Sequence, residues 1–179
     1  ELREPVYGSL QPLPGPYWLH GGGNTPLEEA GDLRLEARLF YTKTHLCFGL
    51  KAPEPVMGSL QAGEKGGEVG SPWKDDCIEL YLEFGRTLGH YQQWVINANG
   101  GYAHLFLYGG TTMETSRHES REAEEPIETA TAMHGDGYTM EGRIPLNLLP
   151  LDQPLSGTLI NGNLRRLRYL GRGMTVPEA

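Results

Sequence analysis

Cys77-Ile78-Glu79-Leu80-Tyr81-Leu82-Glu83-Phe84 alternates strictly between two kinds of side chain. Ile78, Leu80, Leu82 and Phe84 fall on one face of an extended chain, with Cys77, Glu79, Tyr81 and Glu83 on the other. A helix would scatter these apolar positions around its axis, so the stretch predicts a half-buried β-strand. Upstream, Leu33, Leu35, Ala37 and Leu39 alternate with Arg34, Glu36 and Arg38, and Thr42-Lys43-Thr44 makes a turn. His45 to Ala52 then returns with Leu46, Phe48 and Leu50 on one side, completing an antiparallel hairpin. Downstream, His90–Asn97 and Tyr102–Tyr108 flank the turn Ala98-Asn99-Gly100-Gly101, a second hairpin signal. A third hairpin spans Ile127–His134 and Tyr138–Pro145 across Gly135-Asp136-Gly137, with one helical turn at 146–149 and a last strand over 158–167.

The segments between these strands are unlike them. Residues 1–32 contain five prolines and the run Gly21-Gly22-Gly23, which reads as an irregular lead-in packed on the same domain, with room for one edge strand. The loop from Pro53 to Pro72 is Gly-rich, lacks periodicity and is longer than compact domains usually tolerate without a functional or mobile role. Residues 109–126 are acidic and polar, expected to form a solvated excursion. About eight strands at this spacing, with almost no helix, predict a single all-β domain: an antiparallel β-sandwich of immunoglobulin-like or jelly-roll type over 33–179.

Composition agrees. Apolar residues make up 38 % of the 179, against 25 glycines and 13 prolines, a balance suited to short strands and long loops. The formal net charge of −8 argues against nucleic acid or an anionic membrane as partner, and is compatible with a neutral polyol. No stretch approaches the roughly 20 apolar residues of a membrane span, and no basic-then-apolar leader stands at Glu1. Cys47 and Cys77 both lie in expected strands, either as one disulfide or as two buried thiols.

Four pieces, in order, carry a resemblance. They are Phe48-Gly49-Leu50-Lys51-Ala52-Pro53; Pro72-Trp73-Lys74-Asp75-Asp76-Cys77-Ile78-Glu79-Leu80-Tyr81-Leu82; Gln93-Trp94-Val95-Ile96-Asn97; and Gly137-Tyr138-Thr139-Met140-Glu141-Gly142-Arg143-Ile144-Pro145-Leu146. From about Arg34 to Arg168 the chain resembles the family 9 carbohydrate-binding modules and their relatives in the wider DOMON-like group. The resemblance implies a β-sandwich holding one end of a sugar chain, often with structural calcium. It also implies a non-catalytic role in a larger secreted, cell-surface or periplasmic protein, with appended catalytic or surface domains and an oligo- or polysaccharide as partner.

A sugar offers hydroxyls around its ring and a flat C–H face, so its site needs an aromatic plate and planar polar groups. Trp73, between a Gly-rich loop and a strand, matches the family's stacking Trp; alternatively it packs under the 53–72 loop. Glu79 points away from Ile78 and Leu80 and matches a carboxylate that accepts sugar hydroxyls, or is an ordinary solvated strand residue. Gln93 and Asn97 share one face, and Asn97 matches a sugar-binding Asn, with turn chemistry as its other role. Arg165, in the basic run Arg165-Arg166-Leu167-Arg168, matches a position where relatives carry a sugar-reaching amide, or lies on a solvated face. Asp75 and Asp76 are the candidate seat for a hard cation, although two aspartates supply fewer than the six or more oxygens calcium takes.

The chain departs from the family pattern at three places. Val95 stands where sugar-binding members have an Arg, and Ala52 where an Asp would follow the Lys, with Glu54 nearby to substitute. No aromatic follows Tyr169, where these modules stack a second one. Two further functions stand beside sugar binding: an interaction domain without a ligand, and a haem domain using Met57, Met113, Met133 or Met174 with His90, His104 or His134. Catalysis is not expected, because no nucleophile–base pair, metal-spaced histidines or phosphate loop accompanies the carboxylates.

Overall fold

The computed structural model describes residues 10–13, 19–20, 24–25, 34–63, 65–67, 69–84, 91–108, 117–120, 126–151 and 160–168. Eleven strands run through them: β1 Leu19–His20, β2 Asn24–Thr25, β3 Glu36–Tyr41, β4 His45–Pro53, β5 Cys77–Phe84, β6 Tyr91–Asn97, β7 Tyr102–Tyr108, β8 Arg117–Ser120, β9 Glu128–His134, β10 Gly137–Pro145 and β11 Ile160–Leu167. They form a four-stranded sheet in the order β3-β4-β10-β9, a five-stranded sheet in the order β11-β5-β6-β7-β8, and the small ribbon β1-β2. Every pairing is antiparallel. Short 3₁₀ turns at Met57–Ser59, Pro72–Lys74 and Leu146–Leu148 are the helical content of the described residues. The protein is an all-β sandwich.

Period two decides which face of each sheet is inside. Leu46, Phe48, Leu50 and Ala52 of β4 face Ile78, Leu80 and Leu82 of β5, and Trp94, Ile96, Tyr138, Met140 and Ile144 complete one buried cluster. Gly142 belongs to this inner face, in register with Phe48. A Cβ there would fall on the Phe48 ring, so the missing side chain is the space the ring occupies. Gly142→Ala should therefore cost about 1–3 kcal/mol by overpacking, read from chemical denaturation, whereas an unchanged midpoint would mean that Phe48 repacks freely.

The hairpins expected at 33–52, 90–108 and 127–145 all form. Three differences have local causes. Within the acidic 109–126 segment, Arg117–Ser120 is strand β8, because the outer edge of β7 offers backbone partners that a polar sequence can satisfy without alternation. The lead-in contributes the ribbon β1-β2, and residues 10–13 dock on β3 through Leu13 N–H to Ala37 O at 2.8 Å and Arg38 Nε to Leu10 O at 3.2 Å. The 53–72 loop is tied down where it is described. Val69 N–H and Tyr102 N–H bond to Tyr102 O and Gly67 O at 2.8 and 2.9 Å, and Asn99 Nδ2 donates to Ala62 O and Gly63 O.

Cys47 and Cys77 are both buried thiols. Each occupies an outward-facing position, Cys47 on β4 and Cys77 on β5, so two sheets, normally about 10 Å apart, separate them. Burial pushes both thiols up from their ordinary value, with the carboxylates of Glu79, Asp76 and Asp75 adding to the effect at Cys77. Neither is expected to react with iodoacetamide at neutral pH until the protein is unfolded, and rapid native labelling would contradict this burial.

Candidate functional site

The outward face of the five-stranded sheet brings several of the sequence candidates together. Glu79 of β5 lies in register between Arg165 of β11 and Val95 of β6. Tyr81, two residues on, lies between Asn163 and Gln93. Antiparallel pairing by itself thus converges a carboxylate, a guanidinium, a phenol and an amide from three strands.

These groups are bonded to one another. The Tyr81 hydroxyl donates to Glu79 Oε2 at 2.6 Å and accepts from Gln93 Nε2 at 3.1 Å. Arg165 Nη1 is 3.5 Å from the same Glu79 oxygen, with the Arg165 side chain half exposed and that of Glu79 only 7 % exposed. Burial, then the hydrogen bond and charge of Glu79, pushes the Tyr81 phenol well above its usual range, against an opposing pull from Arg165. The phenol stays protonated and remains a donor to the carboxylate. Such a network holds its acceptors and donors in place before any ligand arrives.

Trp73 sits in the 3₁₀ turn Pro72–Lys74 that packs beside β6, immediately before β5, and is 40 % exposed. Among the described residues it is one of four large hydrophobics with substantial exposure, the others being Tyr41, Val56 and Met133. Its partly open surface is available as an aromatic plate at the mouth of β5. Asn97 is placed differently. Its side chain is buried, Oδ1 accepts from Asn99 N and Gly101 N at 3.1 and 2.8 Å, and Nδ2 donates to Asp75 Oδ2 at 3.0 Å. This amide shapes the β6–β7 turn, in which Gly100 takes a φ of 83°.

Asp75 and Asp76 have separate partners. Asp75 Oδ2 accepts from Asn97, while the buried Asp76 takes the Gln61 N–H on Oδ2 at 2.7 Å. No group of three or more His, Cys, Asp and Glu side chains among the described residues is arranged to hold a metal ion. Asp76 thus ties the long loop to the start of β5, and Asp75 bonds across to β6.

Glu54 does not stand in for a sugar-binding Asp either. It is 1 % exposed, and Arg168 grips it through Nε to Oε2 at 2.6 Å and Nη2 to Oε1 at 2.7 Å. Arg166 Nη2 adds a third bond at 3.1 Å, and Arg166 Nη1 donates to Pro53 O at 2.6 Å. The basic run at 165–168 is thus divided by strand parity: Arg165 faces outward to Glu79, whereas Arg166 turns inward over the Tyr138 ring, 5.6 Å from its centroid. Of the haem candidates, His104 stacks on Trp94 at 4.4 Å and its Nε2 bonds to Gln92 Oε1 at 3.0 Å. His90, Met113 and Met174 lie outside the described residues. A cavity of about 630 Å³ between the sheets is lined mainly by apolar side chains such as Leu13, Phe48, Leu80 and Ile96, with Tyr41 and Asn163 also on its lining.

Comparison with known proteins places this architecture. No protein-family model matches the chain, and no curated protein matches it in sequence. Among solved structures, a family 9 carbohydrate-binding module of Caldicellulosiruptor kristjanssonii in complex with cellotriose superposes with a TM-score of 0.64 at 14 % identity, covering 94 % of this chain and 71 % of that one. The fold is that of the family 9 modules. The glucose complex of a module from the same organism aligns over 97 % of this chain and 74 % of the other, with a TM-score of 0.63 and 14 % identity. A Bacteroides uniformis protein proposed to bind carbohydrate shares 18 % identity and a TM-score of 0.55 over 75 % of this chain. The chain spans 63 % of that protein's length.

In the five-stranded sheet β5 is the strand on which Glu79 and Tyr81 alternate with the core, and β6 and β11 flank it. Glu79, Gln93 and Arg165, candidates from the sequence, converge here, and Tyr81 and Tyr91 join them without having been candidates. Both tyrosines share the odd-numbered face with Glu79 and Gln93, and that parity was the signal available to find them. No helix among the described residues is long and apolar enough to cross a membrane.

Proposed function

We propose that the protein is a non-catalytic carbohydrate-binding module that recognises a glycan on the outward face of its five-stranded sheet, in the service of a larger secreted or cell-surface carbohydrate-active protein. The observation that carries this reading is the Glu79–Tyr81–Gln93–Arg165 network across β5, β6 and β11, together with the exposed Trp73 in the turn that leads into β5. Planar donors and acceptors fixed next to an aromatic plate are what recognition of sugar hydroxyls and C–H faces requires. The structural neighbours that hold glucose and cellotriose support it. One plate, and Val95 where a guanidinium would add donors, imply weak binding, with Kd about high-micromolar to millimolar.

A glycan array followed by calorimetry with glucose, cellotriose and the best array ligands tests the proposal. Saturable binding supports it, and an array without a single hit refutes it. Trp73→Ala should weaken the best ligand by about 1–2 kcal/mol, roughly 5- to 30-fold, while leaving the unfolding midpoint in place. Equal affinity in wild type and variant would remove Trp73 from the site. The internal commitment of the Asn97 amide favours one rival, an interaction domain with no sugar ligand, and the array separates the two.

A further inference from the structure

The outward face does not end at Glu79. Tyr81 and Tyr91 stand on it with their ring centroids 5.7 Å apart and their planes tilted by 54°. Both are partly exposed, and across β5 from Gln93 the exposed Asn163 of β11 completes the row. Tyr81 is held by its hydroxyl, on Glu79 and under Gln93. Burial, followed by the charge of Glu79, raises the Tyr91 phenol as well, so the same carboxylate acts on both rings. A tyrosine anchored in this way presents a flat, half-apolar surface with little rotamer freedom left to lose on binding.

The position of this pair matters. The Trp73 turn lies just before Cys77, which pairs with Asn97 at one end of β6, whereas Tyr91 stands at the other end of that strand, six residues and about 20 Å away at the usual rise. One sugar ring is far too small to touch both ends. The geometry points to a second sugar subsite on Tyr81 and Tyr91, which makes the site a groove for an oligosaccharide of several units rather than a pocket for one. The inference rests on the reading of this face as glycan-binding. Trp73 and the tyrosine pair hold opposite ends of the ligand, and the Glu79–Arg165 pair lies between them. Linking two weak contacts through one chain raises affinity with ligand length, because the second contact is made at high effective concentration.

The test is a length series. Wild type, Trp73→Ala and Tyr91→Ala are titrated by calorimetry with gluco-, xylo- and manno-oligosaccharides, β-linked, from monomer to hexamer. In wild type the affinity should rise by about tenfold or more between the shortest ligand bound and the hexamer. Tyr91→Ala should remove most of that rise while changing the shortest ligand by no more than about twofold, and Trp73→Ala should weaken every length. Tyr91→Phe keeps the ring and should keep the rise. Because Tyr91→Ala removes a partly buried ring, the tyrosine ring resonances of the wild-type protein are followed by NMR in parallel. They should shift with the hexamer and not with the monomer. An unaltered length dependence in folded Tyr91→Ala, or ring resonances that ignore the hexamer, overturns the second subsite and leaves the glycan-binding proposal standing. Absence of binding to every ligand, on the array as well as in this series, overturns both.

Discussion

Glu54→Ala is expected to destabilise the fold by about 3–5 kcal/mol, the cost of breaking a buried ion pair from one side. The carboxylate lies between two arginines, and Arg166 itself is only 6 % exposed, so removing Glu54 strands a guanidinium away from water. The bonds also join parts distant in sequence. Glu54 follows β4 of the four-stranded sheet, Arg166 lies near the end of β11 of the other and Arg168 just past it, so the clamp ties the two sheets together. Burial alone would discourage Glu54 from ionising, but the Arg168 hydrogen bond, the Val56 amide and the charges of both arginines outweigh it and hold its pKa below the ordinary carboxylate value. The sign of the pH effect follows. A carboxylate with a lowered folded pKa contributes stability that is complete above the unfolded pKa and disappears as pH falls through the folded one. The gap between wild type and Glu54→Ala, measured by urea unfolding, should be widest near neutrality and narrow in acid. A gap under about 1 kcal/mol at neutral pH would mean that water reaches Arg166 and the clamp is ornamental.

Glu79→Ala should give the largest loss of glycan affinity of any single substitution on the outward face, about 2–3 kcal/mol, or roughly 30- to 150-fold. More than one contact goes with it. The carboxylate is the acceptor for the Tyr81 hydroxyl and the counter-charge for Arg165, so its removal releases a phenol and a guanidinium from their set positions. That is the reason to expect a bigger effect than at Trp73, where one stacking surface is removed. Glu79→Gln keeps an acceptor oxygen without the charge and should fall between. A second readout needs no sugar: since Glu79 helps raise the Tyr81 phenol, the alanine variant should titrate that tyrosine at lower pH in an ultraviolet absorbance titration, with burial still keeping it above the usual range. Wild-type affinity in a folded Glu79→Ala protein would take Glu79 out of the binding face.

How much of this the sequence determined by itself depends on the range over which its physics acts. Alternation in 77–84, 45–52 and 138–145 settled that these segments are strands and which of their faces is buried, because side chains of an extended chain repeat every two residues. The turn at Ala98-Asn99-Gly100-Gly101 set the register of β6 on β7, since Gly100 supplies the left-handed backbone the turn needs. Parity also put Glu79 and Gln93 on outward faces. It did not show that β8 forms, since an edge strand with polar residues carries no alternation.

Pairing between distant strands was beyond its reach. Only the tertiary structure put β11 beside β5, and so Arg165 against Glu79. The neighbouring arginines show the consequence: Arg165 and Arg166 read alike in the sequence, yet one meets the outward carboxylate and the other the buried Glu54. Asn97 shows the converse, a residue whose match implied a ligand contact and whose amide the β6–β7 turn and Asp75 take up instead. The physical reason is that periodicity is a property of one strand. Which polar groups satisfy one another is decided by the strands that lie alongside, and a hydrogen bond requires its partner within about 3 Å whatever their separation in the chain.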